Sequence, residues 1–237
     1  MSAGAYVMSL GPTPYREAWD LQRSLAAAVG QGAMPETIVL LEHPPVVTLG
    51  RRSEEAELHI PADAEVDVVE TDRGGKSTYH APGQLVCYPI LDLTRHGTDV
   101  KRYCRDLEEV LIRTLAPLGL EATRIEGLTG IWLELPPRKI ASIGIHVAKW
   151  ITTHGYALNV DLDPAPFTQW ITACGLEDAQ FTTIARELGR PVTVDEVRPV
   201  AAEALAQVFE LTFEELPTDA GPGLWEQPIH AKLAASH

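Results

Sequence analysis

The run RKIASIGIHVAKWITTHGYALNVD (residues 138–161) decides the fold class. KIASIGIHVAKW (139–150) alternates into Ile143, Ile145 and Val147, and ITTHGYALNVD (151–161) follows at once, rich in β-branched and aromatic residues. With GIWLEL (130–135) upstream, three strand-like runs stand at hairpin spacing, which predicts antiparallel sheet. Further back, TIVLLEH (37–43), VVTLG (46–50), AEVDVVET (64–71) and LVCYPILDL (85–93) read as strands, the first two joined by a stiff Pro44–Pro45 corner. A helix is predicted over 14–30, with Thr13 as cap and Pro14 in the first turn. A second is predicted over 98–118, capped by Thr98 or Asp99, with Val100, Tyr103, Cys104, Leu107, Val110, Leu111 and Leu115 on its apolar face. Downstream, short helices near 166–173 and 182–188 precede a long one over 194–210, locally spoiled by Pro199. This order predicts an α/β (α+β) fold with a mixed, largely antiparallel sheet flanked by helices. One domain is expected over 1–216, with a Pro/Gly-punctuated tail over 217–237.

Composition narrows the function. Hydrophobic residues at 45% and charged residues at 22% of 237 positions are ordinary globular values, which excludes disorder and coiled coil. No apolar run reaches the roughly 18 residues of a membrane span. MSAGAYVMSLGPTPYREAW lacks a basic region followed by an apolar core, so a secretory signal is not expected and a cytoplasmic location is. The net charge of −14 argues against nucleic-acid binding. It is uneven: residues 151–237 carry 13 acids against 4 bases. The bases of the first part cluster as Arg51 and Arg52, Arg73 and Lys76, Arg138 and Lys139, which reads either as a basic mouth for an acidic partner or as scattered solvated charge.

Three cysteines without CxxC spacing give no disulfide framework and no zinc motif. Cys87 lies in an apolar strand and Cys104 on a helix stripe, so both read as packing cysteines. Cys174, in WITACGLEDAQ, ends a short helical stretch before Gly175, a place where sulfur can meet a ligand. A thiol nucleophile must ionise, and its activator is a base or a nearby cation. Lys139 opens a long apolar strand at the core edge; it reads as that cation or as a strand-end lysine reaching into water. The loop RGGKSTYHAPGQ (73–84) has Gly74–Gly75 for bare backbone amides, Pro82–Gly83 for a type II turn, and His80 between them. It reads as a ligand loop or as tight turns. His43, His80 and His154 lack metal-ligand spacing, and GxSxG, GxGxxG and GxxxxGK[ST] are absent.

Taken together, LEHPPVVTLGRR (41–52), DRGGKSTYHAPGQLVCYPILDL (72–93), RKIASIGIHVAKWITTHGYALNVD (138–161) and WITACGLEDAQFTTIARELG (170–189) resemble the lipoyl(octanoyl) transferases, in order and spacing over most of residues 5–210. Two small departures are Ala81, where glycine is usual before PGQ, and Ala173, where proline often precedes the cysteine. The resemblance implies the fold of biotin- and lipoate-protein ligase catalytic domains. It implies transfer of an octanoyl group from octanoyl-acyl carrier protein to a lysine of lipoyl domains, in 2-oxoacid dehydrogenase complexes and the glycine cleavage H protein. It makes Cys174 the acyl acceptor and Lys139 its partner, with no cofactor and no metal. By the same resemblance the substrate is lined by Arg73, Gly74, Gly75, Lys76, Ser77, Thr78, Tyr79 and His80, by Ser142, Ile143 and Gly144, and by Gly155, Tyr156 and Ala157. Carrier docking is expected near Arg51, Arg52, Arg73 and Lys76. Three rivals stay open: an ATP-dependent lipoate- or biotin-protein ligase, a cysteine hydrolase using a histidine, and a noncatalytic acyl or carrier-binding module.

Overall fold

The computed structural model describes residues 3–216 apart from 55, 57, 135 and 172–179, so Cys174 and the tail 217–237 lie outside the described residues. The strands are β1 (Ala3–Pro12), β2 (Thr37–Glu42), β3 (Val46–Leu49), β4 (Asp67–Glu70), β5 (Thr78–His80), β6 (Gln84–Ile90), β7 (Ala122–Ile125), β8 (Leu128–Leu133), β9 (Arg138–Ala148), β10 (Ile151–Asn159), β11 (Gln180–Phe181) and β12 (Leu211–Glu215). The helices are α1 (Tyr15–Gly30), α2 (Val100–Leu115), α3 (Pro166–Gln169), α4 (Ile184–Leu188) and α5 (Val194–Phe209).

The main sheet runs β12-β1-β2-β6-β10-β9-β8-β7, with β11 added beside β9. From β2 to β7 every pairing on that path is antiparallel; β12, β1 and β2 are mutually parallel, as is β11 with β9. A second sheet, β4-β3-β5, carries the 73–84 loop. TIVLLEH and VVTLG therefore flank the Pro44–Pro45 corner in different sheets.

The near-continuous apolar runs are explained by burial on both faces. Ile38 and Leu40 of β2, with Leu85 and Cys87 of β6, face the core built with α2 and α5. Their neighbours Val39, Leu41, Val86, Tyr88 and Ile90 face Ala18, Leu21, Leu25 and Val29 of α1. Each such side chain contributes about 1.5–3 kcal/mol on burial.

Several local readings change. Thr13 does not cap α1: its hydroxyl donates to the Gly11 carbonyl, and Pro14 occupies the cap. Asp99 does cap α2, accepting from the Lys101 and Arg102 amides. Cys104 is only half-buried and Val100 is exposed, because the buried stripe of α2 turns through Glu108 and Thr114 instead. Strand β5 interrupts the expected loop. Between β9 and β10, Lys149 and Trp150 both adopt positive φ and form a two-residue turn without glycine or asparagine. Among the described residues no helix is long and apolar enough to cross a membrane.

Candidate active site

A cavity of about 220 Å³ opens on the α1 side of the main sheet. Its floor is β6, β9 and β10, the 73–80 segment covers it, and the β7–β8 turn at Gly127–Thr129 borders one end. Of the residues expected around substrate, Arg73, Gly75, Lys76, Ser77, Thr78, His80, Ser142, Ile143, Gly144, Gly155, Tyr156 and Ala157 line it, together with Lys139. Gly74 and Tyr79 do not. The Gly74 amide donates to the Ile145 carbonyl at 2.8 Å, tying the loop to β9, while Tyr79 packs edge-on against Phe167 and Trp170.

Lys139 points inward and is only 3% exposed. Its direction comes from a β-bulge. Ile131 pairs with Ala141 but Trp132 with Lys139, so β9 carries one extra residue, Ile140, against β8. Strict alternation would send Lys139 to the same side as Ala141, which sits in the α2–α5 core. The extra residue breaks that alternation and leaves the lysine in the cavity wall. The Lys139 ammonium lies 5.4 Å from the centre of the Trp132 ring, within cation–π range. Gly130, at φ +109°, makes room for the lysine stem: a Cβ there would stand 2.7 Å from Lys139 Cε and collide with the Ala141 carbonyl.

Arg73 lines the cavity and also holds the covering loop. Its guanidinium donates to the Thr48 hydroxyl and carbonyl and to the carbonyls of Gly74 and Lys76, and the residue is buried. Of the four residues expected near the docked carrier, Arg73 is thus buried in the loop, Arg51 and Arg52 are exposed, and Lys76 is half-buried. Arg138 is likewise engaged: its Nε and Nη2 donate side by side to the Glu187 carboxylate, and its Nη1 donates to the Pro136 carbonyl.

His80 and His154 line the other end, and His43 packs edge-on against His80. His43 Nδ1 is 2.6 Å from the Thr13 carbonyl oxygen, so that nitrogen carries the proton and Nε2 accepts from the Tyr88 hydroxyl. His154 Nε2 faces Asp72 Oδ1 at 2.8 Å, which leaves Nδ1 to accept from Tyr15. His80 Nδ1 donates to Gln84 Oε1, and Gln84 in turn donates to Asn159. Burial dominates all three: it lowers His43 and His154 to about 4 and His80 well below its ordinary value. They are neutral and their ring nitrogens are occupied, which makes them poor bases for a thiol. Burial pushes the Tyr15 hydroxyl up to about 12, so it remains a neutral phenol.

His154 itself has φ +56° within β10, and its amide donates to the Gln22 side chain rather than along a ladder. Pro89 explains the departure. It supplies no N–H from β6, and the β6–β10 ladder runs only from Gln84–Asn159 to Cys87–Tyr156. Gly155 allows the close approach there, since a Cβ would meet the Cys87 carbonyl and Pro89 Cδ. Tyr15, Tyr88, Trp132, His154 and Asp72 belong to or adjoin this site without standing out in the sequence, because aromatic and histidine residues in apolar runs look like core. Among the described residues no group of three or more His, Cys, Asp or Glu could hold a metal.

This architecture is that of the lipoate- and biotin-protein ligases. A bipartite lipoate-protein ligase from Thermoplasma acidophilum superposes at TM-score 0.70 and 16% identity, over 97% of this chain and 95% of that one. A biotin-protein ligase from Aquifex aeolicus gives 0.50 at 10% identity, over 88% and 69% of the two chains. Residues 14–206 match the model of the lipoyl protein ligase A/B catalytic domain. The octanoyltransferase of Mycobacterium tuberculosis is 52% identical over 206 residues, 86% of each chain. The chain belongs to the lipoyl protein ligase A/B family, on its octanoyltransferase branch, and is an acyltransferase enzyme.

Proposed function

We propose that the enzyme carries an octanoyl group from the thioester of acyl carrier protein to one lysine of a lipoyl domain, through a thioester on Cys174. The observation that carries this reading is the inward-turned Lys139 in the cavity wall. A second supports it. The described chain resumes at Gln180, six residues after Cys174, in parallel pairing with Arg138, and Phe181 pairs with Lys139.

The chemistry needs no ATP, because a thioester is already activated. With the thiol proton on Lys139, the Cys174 thiolate adds to the thioester carbonyl. Collapse expels the carrier thiolate, which takes a proton from the Lys139 ammonium and leaves the amine neutral. The target lysine, arriving as an ammonium, gives one proton to solvent and one to Lys139 as its nitrogen forms the amide bond and the Cys174 thiolate departs. Amide formation from a thioester is downhill, so the second half drives the first. A cavity wall that includes Val86, Ile143 and Ala157 gives apolar surface to the acyl chain, worth up to about 0.8 kcal/mol for each buried CH₂. The occupied, neutral histidines disfavour a hydrolase built on a Cys–His pair.

The test is turnover with octanoyl-carrier protein and a lipoyl domain in the absence of ATP. The account expects product, abolished by Cys174→Ser. A requirement for ATP and free octanoate would replace it with ligase chemistry, and release of free octanoate with hydrolysis.

A further inference from the structure

The wall around Lys139 contains a donor that the fold does not use. Trp132 is 2% exposed, lines the cavity, and its indole Nε1 is buried without a hydrogen-bond partner. A buried N–H with no acceptor is destabilising, because it has lost its hydrogen bonds to water without replacement, so its presence calls for a partner that arrives later. Two other cavity residues have unpartnered oxygens, Ser77 and Tyr156, and each has a softer explanation. The Ser77 hydroxyl rotates freely about its Cβ–O bond, and the Tyr156 hydroxyl lies against the Cys87 sulfur. An indole N–H is different: it donates only, in one direction, from a ring whose neighbours fix it.

Trp132 is also set in place relative to the reacting groups. It stands opposite Lys139 across the β8–β9 ladder, at the step where the bulge turns the lysine inward. Its ring face carries the ammonium at 5.4 Å, and its Nε1–H is not engaged by that contact.

Building on the octanoyl-transfer reading, we propose that the Trp132 N–H hydrogen-bonds the carbonyl oxygen of the acyl thioester and stabilises the negative charge that oxygen gains. When sulfur adds to the carbonyl carbon, the C=O π pair moves onto oxygen, where the indole N–H receives it. When the carbon–sulfur bond to the leaving thiol breaks, that pair re-forms the carbonyl. Trp132 gives up no proton in either step, so one fixed donor serves both halves of the reaction. Such donors act mainly on the transition state, so removing one lowers kcat more than it raises KM.

Replacing residue 132 by β-(3-benzothienyl)alanine keeps the ring's size and aromatic face and exchanges N–H for sulfur. Steady-state transfer of octanoyl to a lipoyl domain is expected to fall in kcat by about 10²-fold with KM for the carrier nearly unchanged. Trp132→Phe, which keeps an aromatic face for Lys139, is expected to lose kcat to a similar extent while its thermal unfolding shows a folded protein. A benzothienyl enzyme within about threefold of wild-type kcat overturns the proposal. So does a loss confined to KM. Intact mass of wild type in the same experiment separates the two readings: absence of an adduct on Cys174 counts against the acyl relay, whereas kcat of the benzothienyl enzyme still decides the donor.

Discussion

His154 and Asp72, 82 positions apart, meet in a 2.8 Å hydrogen bond that fixes which ring nitrogen carries the proton. The carboxylate favours a charged ring, yet burial is the larger effect and His154 stays near pKa 4, as does His43. Both values lie below the 6.5 of an unfolded histidine. Between about pH 6.5 and 4 the unfolded chain therefore binds more protons than the native one, and stability falls as pH falls through that window. Each histidine contributes a slope of up to about 1.4 kcal/mol per pH unit. Urea unfolding from pH 7 to pH 4.5 reads the slope directly, and His43→Gln is expected to make it shallower. An unchanged slope in that variant would show that His43 titrates normally.

The crowding at Gly130 makes a sharper prediction about the lysine. In Gly130→Ala the added methyl group meets Lys139 Cε and the Ala141 carbonyl at a backbone φ that disfavours alanine. Overpacking of this kind costs about 1–3 kcal/mol. Octanoyl transfer is expected to fall by 10²-fold or so, since displacement of a reacting group by an ångström has that scale of effect. A variant that is destabilised yet fully active would mean that the lysine position is not set here.

Glu187 joins three elements, accepting two hydrogen bonds from the Nε–Nη2 edge of Arg138 on β9 and one from the Thr182 hydroxyl beside β11. The Arg138 hydrogen bonds hold its carboxyl below the ordinary range. Their stabilisation is complete above that range and is lost as pH falls through the lowered value. For this partly buried pair, Glu187→Gln is expected to cost about 1 kcal/mol, or about 2–4 °C in Tm. The difference from wild type should vanish in acid; a constant difference down to pH 3 would contradict the assignment.

Carrier association is expected to depend on Arg51 and Arg52, which are exposed, and on Lys76 at the cavity. Reversing the charge of all three should slow the second-order rate about tenfold at low salt, with the difference shrinking near 0.5 M salt. Arg73→Glu would instead collapse the 73–80 loop, visible as lost thermal stability. Equal association rates for the triple reversal and the wild type would remove the docking surface.

How much of this was legible in the sequence depended on the kind of signal. TIVLLEH and LVCYPILDL announced strands through continuous apolar runs, and the 138–161 hairpin through its spacing. Strand β1 was missed because its Gly and Ser residues dilute the pattern, while β11 and β12 are too short or too charged to declare themselves. Lys139 was readable as a residue but not as a direction, because the bulge at Ile140 depends on pairing with β8. The same holds for the buried histidines, whose neutrality comes from desolvation by chain segments far away. The second role of Arg73 was hidden for a related reason: a basic residue in a glycine loop looks like a ligand contact, and only the Thr48, Gly74 and Lys76 acceptors reveal that it also holds the loop.

The most direct test of the acyl relay is the intact mass of the enzyme seconds after mixing with octanoyl-carrier protein, with the modified peptide then located. Wild type should gain one octanoyl group on the peptide that contains Cys174, Lys139→Ala should gain it far more slowly, and Cys174→Ser should gain none. An octanoyl group found on any other residue, or full turnover with no adduct ever detected, would contradict the account.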